Sequence, residues 1–465
     1  MRILFFIPLT IFKKAPCRLL WVIVLSGILA AQNCSYNTLE EPLEFRSATE
    51  IALAWNHLAL DLERNTIGYR PPISARMFAY VEMAAYEASL PGLRNNISME
   101  HYLTGYEKPN EKFGEGQFNL PASLNAAYAQ ILRNFFPTAP TGLQQKIDLL
   151  EKQNAQFLQQ KTNSIVYNQS AAYGKTVAGT VWEWSKIDRE GNDAYLYNYD
   201  HGYEPPSCTG CWQPTGEHPM PALLPYWGRV RPFIADSTEF LFKSPAAYDE
   251  GLGSRFYTEA MEVYTVSKPL SKENRWIAEF WSDDLPGLTL SPAGRWISIA
   301  NQAFEKARPP FPLVIETYLK TAIAICDAGI TVWKEKYLYN VERPETYIHD
   351  HINPNWISLH DTPSFPAYPS GHAAFGGAAA EVLSDAMGNK FELTDRTHEK
   401  RPEFAGMPRS YSSFEEMAQE NAASRVLLGV HYRMDCEEGL RLGKIIGKKV
   451  VSIPLFRKEV SVLKR

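Results

Sequence analysis

Cysteine is scarce, with six in 465 residues, so a disulfide-framed miniprotein is excluded. An excess of one charge is missing too. Lys+Arg number 47 and Asp+Glu 52, a formal net charge of −5, and without a global basic field nucleic acid is not an expected partner. Long apolar runs are lacking beyond the N-terminus and mean hydropathy is −0.28, which argues against a polytopic membrane protein. Self-similarity at a solenoid period of roughly 20 to 50 residues is absent. Gly114 and Gly116, between Asn110 and Phe118, come without the strand and the Lys-Ser/Thr of a phosphate-binding loop. What is there, 45% hydrophobic and 21% charged residues, is a globular chain long enough for one large or two ordinary domains.

The one charge-free apolar run, Leu19–Ala31, follows Lys13, Lys14 and Arg18 and ends on small residues at Ala30 and Ala31. It is short for a bilayer span and has the layout of a secretory signal. Residues 1–34 are therefore read as a signal peptide and the chain as exported: periplasmic, outer-membrane-associated or secreted. No membrane span is expected after cleavage. Cys34 leaves a lipid anchor as the alternative to a soluble product, although Gln32 and Asn33 are poor neighbours for a lipidated cysteine. Cys17 also sits in the signal, and Cys326 and Cys436 lie in apolar helix-like stretches. Cys208 and Cys211, as CTGC, have no second such pair and no preceding strand for a thioredoxin-like unit, so in an oxidising compartment they read as a small loop disulfide or two idle thiols.

Helical periodicity predicts an all-α protein of two packed helical bundles. Residues 35–243 form the N-terminal region, with helices over Ile51–Leu62, Ala75–Ser89, Leu120–Leu132, Gly142–Thr162 and Ser170–Ser185, the first capped by Ser47. Residues 194–243, rich in Pro, Gly, Trp and Tyr, read as one long irregular connection, in which Trp212 and Trp227 are packing anchors. Residues 244–465 form the C-terminal helical domain, with helices clearest in Ser271–Trp281, Trp296–Phe304, Pro312–Tyr337, Ala373–Met387, Phe414–Leu428 and Tyr432–Ile453.

Three segments of this second half concentrate chemistry. A long helix carries Lys336 on its last turn and is expected to stop at Pro344, so that Arg343 turns back beside Lys336 as half of an oxyanion clamp. Pro369-Ser370-Gly371-His372 precedes an alanine-rich helix, placing Ser370 and Gly371 at an anion-binding N-terminus and His372 as a titratable group beside it. Arg425 lies on a helix interrupted by Gly429; His431 follows, and Asp435 at i+4 can orient its imidazole. Each segment alone also fits a helix cap, a dipole partner or a structural His–Asp pair. His349, His351 and His360 lack acidic partners at ligand spacing and read as loop histidines.

Together the segments match the three-part pattern K-x6-RP, PSGH and SR-x5-H-x3-D at every fixed position. The pattern resembles that of the superfamily joining type 2 phosphatidic acid phosphatases, bacterial acid phosphatases and vanadium-dependent haloperoxidases. FPAYPSGHAAFGG and ENAASRVLLGVHYRMD look like the haloperoxidase versions, and the resemblance covers roughly Ser271 to Lys449. It implies vanadate as prosthetic group, with phosphate as a competing anion. By resemblance His431 is its single protein ligand, while Lys336, Arg343, Ser370, the Gly371 amide and Arg425 neutralise its oxygens. His372 takes a proton from hydrogen peroxide, Lys336 polarises the peroxide, and Trp333 and Phe365 line a halide pocket. Asp284, in FWSDD, resembles the carboxylate that pairs with the arginine at 425.

The expected activity is peroxide-dependent oxidation of halide to hypohalous acid, iodide or bromide before chloride, with a small organic acceptor as a further partner. Phe365 argues against the algal bromide type, where a histidine stands. The alternative is a soluble acid phosphatase using His431 through a phosphohistidine and His372 as acid to the leaving group. A non-catalytic oxyanion-binding protein is disfavoured because binding alone does not require both histidines.

Overall fold

A computed structural model describes residues 43–215, 219–235, 241–283, 285, 287–399 and 407–456. The signal peptide read over residues 1–34, with Cys34, and the carboxylate Asp284 lie outside the described residues. Thirteen α-helices account for most of the remainder, and the strands are limited to two short antiparallel pairs. The fold is all-α, as the periodicity predicts.

The N-terminal bundle comprises α1 (Leu43–Asn65), α2 (Pro71–Ser89), α3 (Leu120–Phe135), α4 (Thr141–Gln159) and α5 (Ser164–Lys186). Ser47 lies inside α1, not before it, because the helix starts at Leu43. All of α2 is buried, and most of its charged groups are paired: Arg76 pairs with Asp188 at 3.2 Å, Glu87 accepts from Ser98 Oγ at 2.9 Å, and Glu82 Oε2 accepts from Tyr128 Oη at 2.8 Å. Then follow β1 (Tyr199–Asp200), which pairs with β2 (Ala222–Leu223), α6 (Arg255–Ser267), α7 (Lys272–Phe280), α8 (Pro292–Ala307) and α9 (Phe311–Tyr339). The second bundle is completed by α10 (Pro344–His351), α11 (Gly371–Met387), α12 (Phe414–Leu427) and α13 (Arg433–Val451), with β3 (Leu393–Asp395) paired to β4 (Arg409–Tyr411). Helix α2 packs on α9, and one apolar cluster runs from Ala48 to Leu455.

The sequence singled out neither α6 nor α10. Only Phe256, Ala260, Val263 and Ser267 of α6 are buried, a stripe too narrow to stand out among its tyrosines. The expectation that Pro344 stops α9 is corrected. Helix α9 ends at Tyr339, where Asn340 adopts a left-handed conformation (φ 49°) and returns its N–H to Lys336 O at 2.8 Å. Pro344, whose ring fixes a helical φ and whose missing N–H has no helical partner to lose, starts α10 instead. His349 and His351 consequently lie on α10, not in a loop.

The long connection is tied along α9. Asp327 is wholly buried there, and its carboxylate accepts from the N–H groups of Phe233, Ile234 and Ala235 at 2.8 Å each. Trp212 and Trp227 are buried as anchors. Cys208 and Cys211 are joined in a disulfide.

Helices α11 and α13 approach unusually closely because α13 presents glycine at every fourth position. A Cβ at Gly439 would lie 2.4 Å from Ser370 O, and one at Gly443 would lie 2.1 Å from Ala374 O. Backbone-to-backbone packing of this kind brings the start of α13 against the start of α11.

Glu82 gives a pH test of the core. Burial pushes its pKa up to about 8, against the opposing bonds from Tyr128 and Asn56. The folded state keeps it protonated while the unfolded chain ionises it near its ordinary value, so stability is lost as pH rises between the two. Glu82→Gln keeps an acceptor for Tyr128 Oη and carries no titratable proton. Denaturant unfolding should give matching stabilities at pH 4 and a variant more stable by about 4–5 kcal/mol at pH 8.5. Equal stability at both pH values would show that Glu82 is not held neutral.

Candidate active site

Four chain segments converge where α9, α11 and α13 meet. Lys336, on the last turns of α9, is fully buried and its Nζ donates to Pro366 O and Ala367 O at 2.9 Å each. An ammonium has three N–H donors, so one remains for a ligand. Arg343, also fully buried, follows the cap at Asn340. Its Nε donates to Phe365 O at 2.8 Å and its Nη1 to Val430 O at 2.7 Å, while Nη2 is buried without a partner among the described residues.

Ser370 is the N-cap of α11. Its Oγ accepts from Ala373 N at 3.5 Å, and its N–H donates to Asp435 O at 2.9 Å. A Cβ at Gly371 would stand 3.2 Å from the Trp333 ring, so glycine leaves the backbone open to the pocket. His372 is buried, and its Nε2 has no partner among the described residues. Burial first, then Arg425, holds its pKa well below the usual histidine range, against a hydrogen bond to the Asp283 main chain.

Arg425 leaves α12 with Nη1 donating to Trp281 O at 3.3 Å. His431 precedes α13, and its Nδ1 lies 2.9 Å from Asp435 Oδ2, which also accepts from Tyr432 N at 3.0 Å. The carboxylate therefore fixes the tautomer with Nδ1–H and leaves the Nε2 lone pair facing the cage, 3.2 Å from Arg343 Nη1. Burial, Arg343 and Lys336 hold the His431 pKa well below its ordinary value, so the imidazole is neutral.

The electrostatics are those of crowded cations. Burial and the Arg343 charge push Lys336 well below the usual lysine range. Burial likewise brings Arg343 down to about 9, Asp435 opposing it and Arg425 adding to it. Asp435 is itself pushed up to about 7 by burial, against the pull of Lys336 and Arg343. Cations and donors directed at one point around a neutral imidazole form a site for a tetrahedral or five-coordinate oxyanion. The partnerless Arg343 Nη2 and His372 Nε2 fit that ligand.

The cavity over this cage, about 260 Å³, is lined by Trp333, Phe365, Gly371, His372, Phe375, Arg425 and His431. Trp333 and Phe365 rings meet at 5.1 Å, but Phe365 does more than wall the pocket: Lys336 Nζ lies 5.0 Å and Arg343 Cζ 4.9 Å from its ring centroid. The structure thus brings together all the sequence-predicted site residues among the described ones; Asp284 lies outside them.

Sequence reasoning missed several others. Arg70 and Tyr199, from the N-terminal half, line the mouth, and no motif announces them. His360 lines it too, paired with Glu279 at 3.3 Å. Asp283 belongs to a buried network in which Arg295 Nε donates to Asp395 at 2.9 Å and Nη1 to Phe280 O at 3.2 Å and Asp283 at 3.3 Å. That network fixes the segment carrying Trp281 O and the Asp283 main chain. The intact DD pair in FWSDD was its only trace in the sequence.

The fold and cage define an all-helical protein built around a buried cationic cage suited to an oxyanion. A family model described as the second helical-bundle domain of VCPO matches residues 316–455. The crystal structure of a bacterial vanadium-dependent iodoperoxidase superposes with a TM-score of 0.80 at 30% identity, covering 88% of this chain and 98% of that one. A holo-type bacterial vanadium-dependent chloroperoxidase shares the fold, with a TM-score of 0.64 at 17% identity over 82% of this chain and 91% of that one. The vanadium chloroperoxidase of Curvularia inaequalis is 22% identical over 85% of this chain and 80% of its own. The chain belongs to the vanadium-dependent haloperoxidases, peroxide-using oxidoreductases.

Removing one charged donor from such a cage costs about 1.5–3 kcal/mol. Arg343→Met should therefore weaken orthophosphate binding about 10- to 100-fold by calorimetry while leaving the far-ultraviolet circular dichroism of the helices in place. Unchanged affinity would take Arg343 out of the cage.

Proposed function

We propose that this chain holds vanadate in the cage around His431 and oxidises halide with hydrogen peroxide, iodide and bromide more readily than chloride. The observation that carries this is the convergence of Lys336, Arg343, Arg425 and the Ser370–Gly371 helix start on the ligand face of a neutral His431. When bound, vanadate supplies a Lewis-acidic centre that makes peroxide electrophilic toward halide. His431 Nε2 is the ligand, its other nitrogen held by Asp435. Arg343 Nη2, the third N–H of Lys336, Arg425 and the Gly371 amide balance the charge on the oxygens. His372 Nε2 accepts a proton from hydrogen peroxide and returns it to the departing oxygen. Two electrons leave the halide and break the O–O bond as the X–O bond forms, and with one further proton taken from solvent the products are hypohalous acid and water.

Trp333 and Phe365 keep the halide's approach dry. Chloride is the most strongly hydrated of the three and the hardest to oxidise, which supports the ranking. Export is part of the proposal. It is supported by the signal-like N-terminus and by the Cys208–Cys211 disulfide, a bond that persists in oxidising compartments. Among the described residues no helix is long and apolar enough to cross a membrane.

Protein incubated with orthovanadate should oxidise iodide with hydrogen peroxide, and added phosphate should suppress the reaction. Brisk, vanadate-sensitive hydrolysis of a phosphate monoester without halide oxidation would turn the assignment to a phosphatase. His431→Ala should abolish tight vanadate binding, whereas His372→Ala should retain much of it and lose turnover; equal vanadate affinity in wild type and His431→Ala would remove His431 as the ligand. Phe365→His should change the bromide-to-iodide preference more than the vanadate affinity. An unchanged preference would place halide elsewhere.

A further inference from the structure

The CTGC loop lies behind the cage. Gly210 O accepts from Glu342 N at 3.0 Å, and Trp212 N donates to Asn340 O at 2.7 Å, so Cys211 and Val341 form an antiparallel bridge. On its other side Val341 O accepts from Ala367 N at 2.9 Å. Residues 340–342 are therefore clamped between the disulfide loop and the loop carrying Phe365, and the next residue is Arg343. The clamp also reaches past Arg343. Gly210, at φ +74°, sits so tightly on Tyr248 that a Cβ would lie 2.3 Å from its ring, and Tyr248 Oη is 2.9 Å from His351 Nε2 on α10. Both chain directions out of Arg343 are thus referenced to one loop.

Chain-entropy stabilisation by a disulfide grows with the loop it closes. This one spans a sequence separation of three, so its effect on global stability is close to the minimum a disulfide can have. Its local effect is to hold Gly210 O and Trp212 N at the spacing that residues 340–342 require. We propose that the Cys208–Cys211 loop is a positioning element for the oxyanion cage, acting through Arg343. The inference rests on the oxyanion reading of the cage and not on halide oxidation, and a phosphate-binding readout keeps the two apart.

Phosphate affinity is measured by calorimetry on four proteins: wild type, Cys208→Ser/Cys211→Ser, Arg343→Met and the combined variant. If the loop acts through Arg343, the double serine variant loses about tenfold in phosphate affinity with a thermal midpoint within a few degrees of wild type. On the Arg343→Met background the same change then costs less than twofold, because coupled sites are non-additive. Dithiothreitol supplies a second route on the folded wild type. It donates two electrons and two protons to the exposed disulfide and closes to its own cyclic disulfide. Phosphate is the probe there because vanadate is itself reducible. Reduction should reproduce the loss in wild type and leave Arg343→Met unchanged. Equal phosphate affinity with the disulfide open and closed, or the same loss on both backgrounds, would overturn the proposal.

Discussion

The second bundle turns on one electrostatic problem: Lys336, Arg343 and Arg425 are buried close together, and Asp435 is a carboxylate set beside Lys336 and Arg343. Like charges in a low-dielectric site repel strongly, and desolvation adds to the cost. Burial is the leading cause of both the downward displacement of the Lys336 and Arg343 pKa values and the upward displacement of Asp435, and the neighbouring cations oppose the latter. Carbonyl oxygens from Phe365, Pro366, Ala367 and Val430 absorb part of the burden. A bound oxyanion relieves the remainder, so anion affinity and local stability are linked.

Concentrating cations demands rigid backbones, and the helix geometry supplies them. The glycines of α13 let it lie on the α11 main chain, which puts Asp435 O within reach of Ser370 N. One short element therefore orients His431 through its carboxylate and anchors the N-cap of α11 through its carbonyl. A side chain at Gly439 would separate these two functions by forcing the helices apart, although neither the imidazole nor the serine would have changed.

How much of this was legible follows from whether a residue acts through local spacing. His431 and Asp435 lie four residues apart across the start of α13, Ser370 and Gly371 side by side at the start of α11, and such pairs survive in a linear pattern. The helices were legible for the same reason, down to Ser370 as the cap of α11. Pro344 was misread because a proline signals a break without saying whether a helix ends before it or begins with it; the left-handed Asn340 settles that. Arg70, Tyr199 and the Arg295–Asp395–Asp283 network were illegible because their partners are more than ten residues away and of ordinary residue types. The CTGC loop was visible as a disulfide candidate, but its use depends on a strap more than a hundred residues downstream.

The cage alone does not decide between hydrolysing a phosphate ester and oxidising a halide, since either reaction uses a neutral imidazole facing an oxyanion among cations. The surroundings differ in what they demand. Hydrolysis needs water beside the oxyanion, whereas halide oxidation is served by excluding it. Here the space over the cage has Trp333, Phe365 and Phe375 on its apolar side and Asp283, His360 and Asp361 among its polar lining, and the Phe365 ring lies against the same Lys336 and Arg343 that face the cage. Its orientation is thus coupled to the charge it screens. Replacing that ring with a polar one would do more than wet the pocket, because it would also remove a face on which two buried cations rest. The apolar lining and the charge placement are consequently coupled at this site, because one ring serves both.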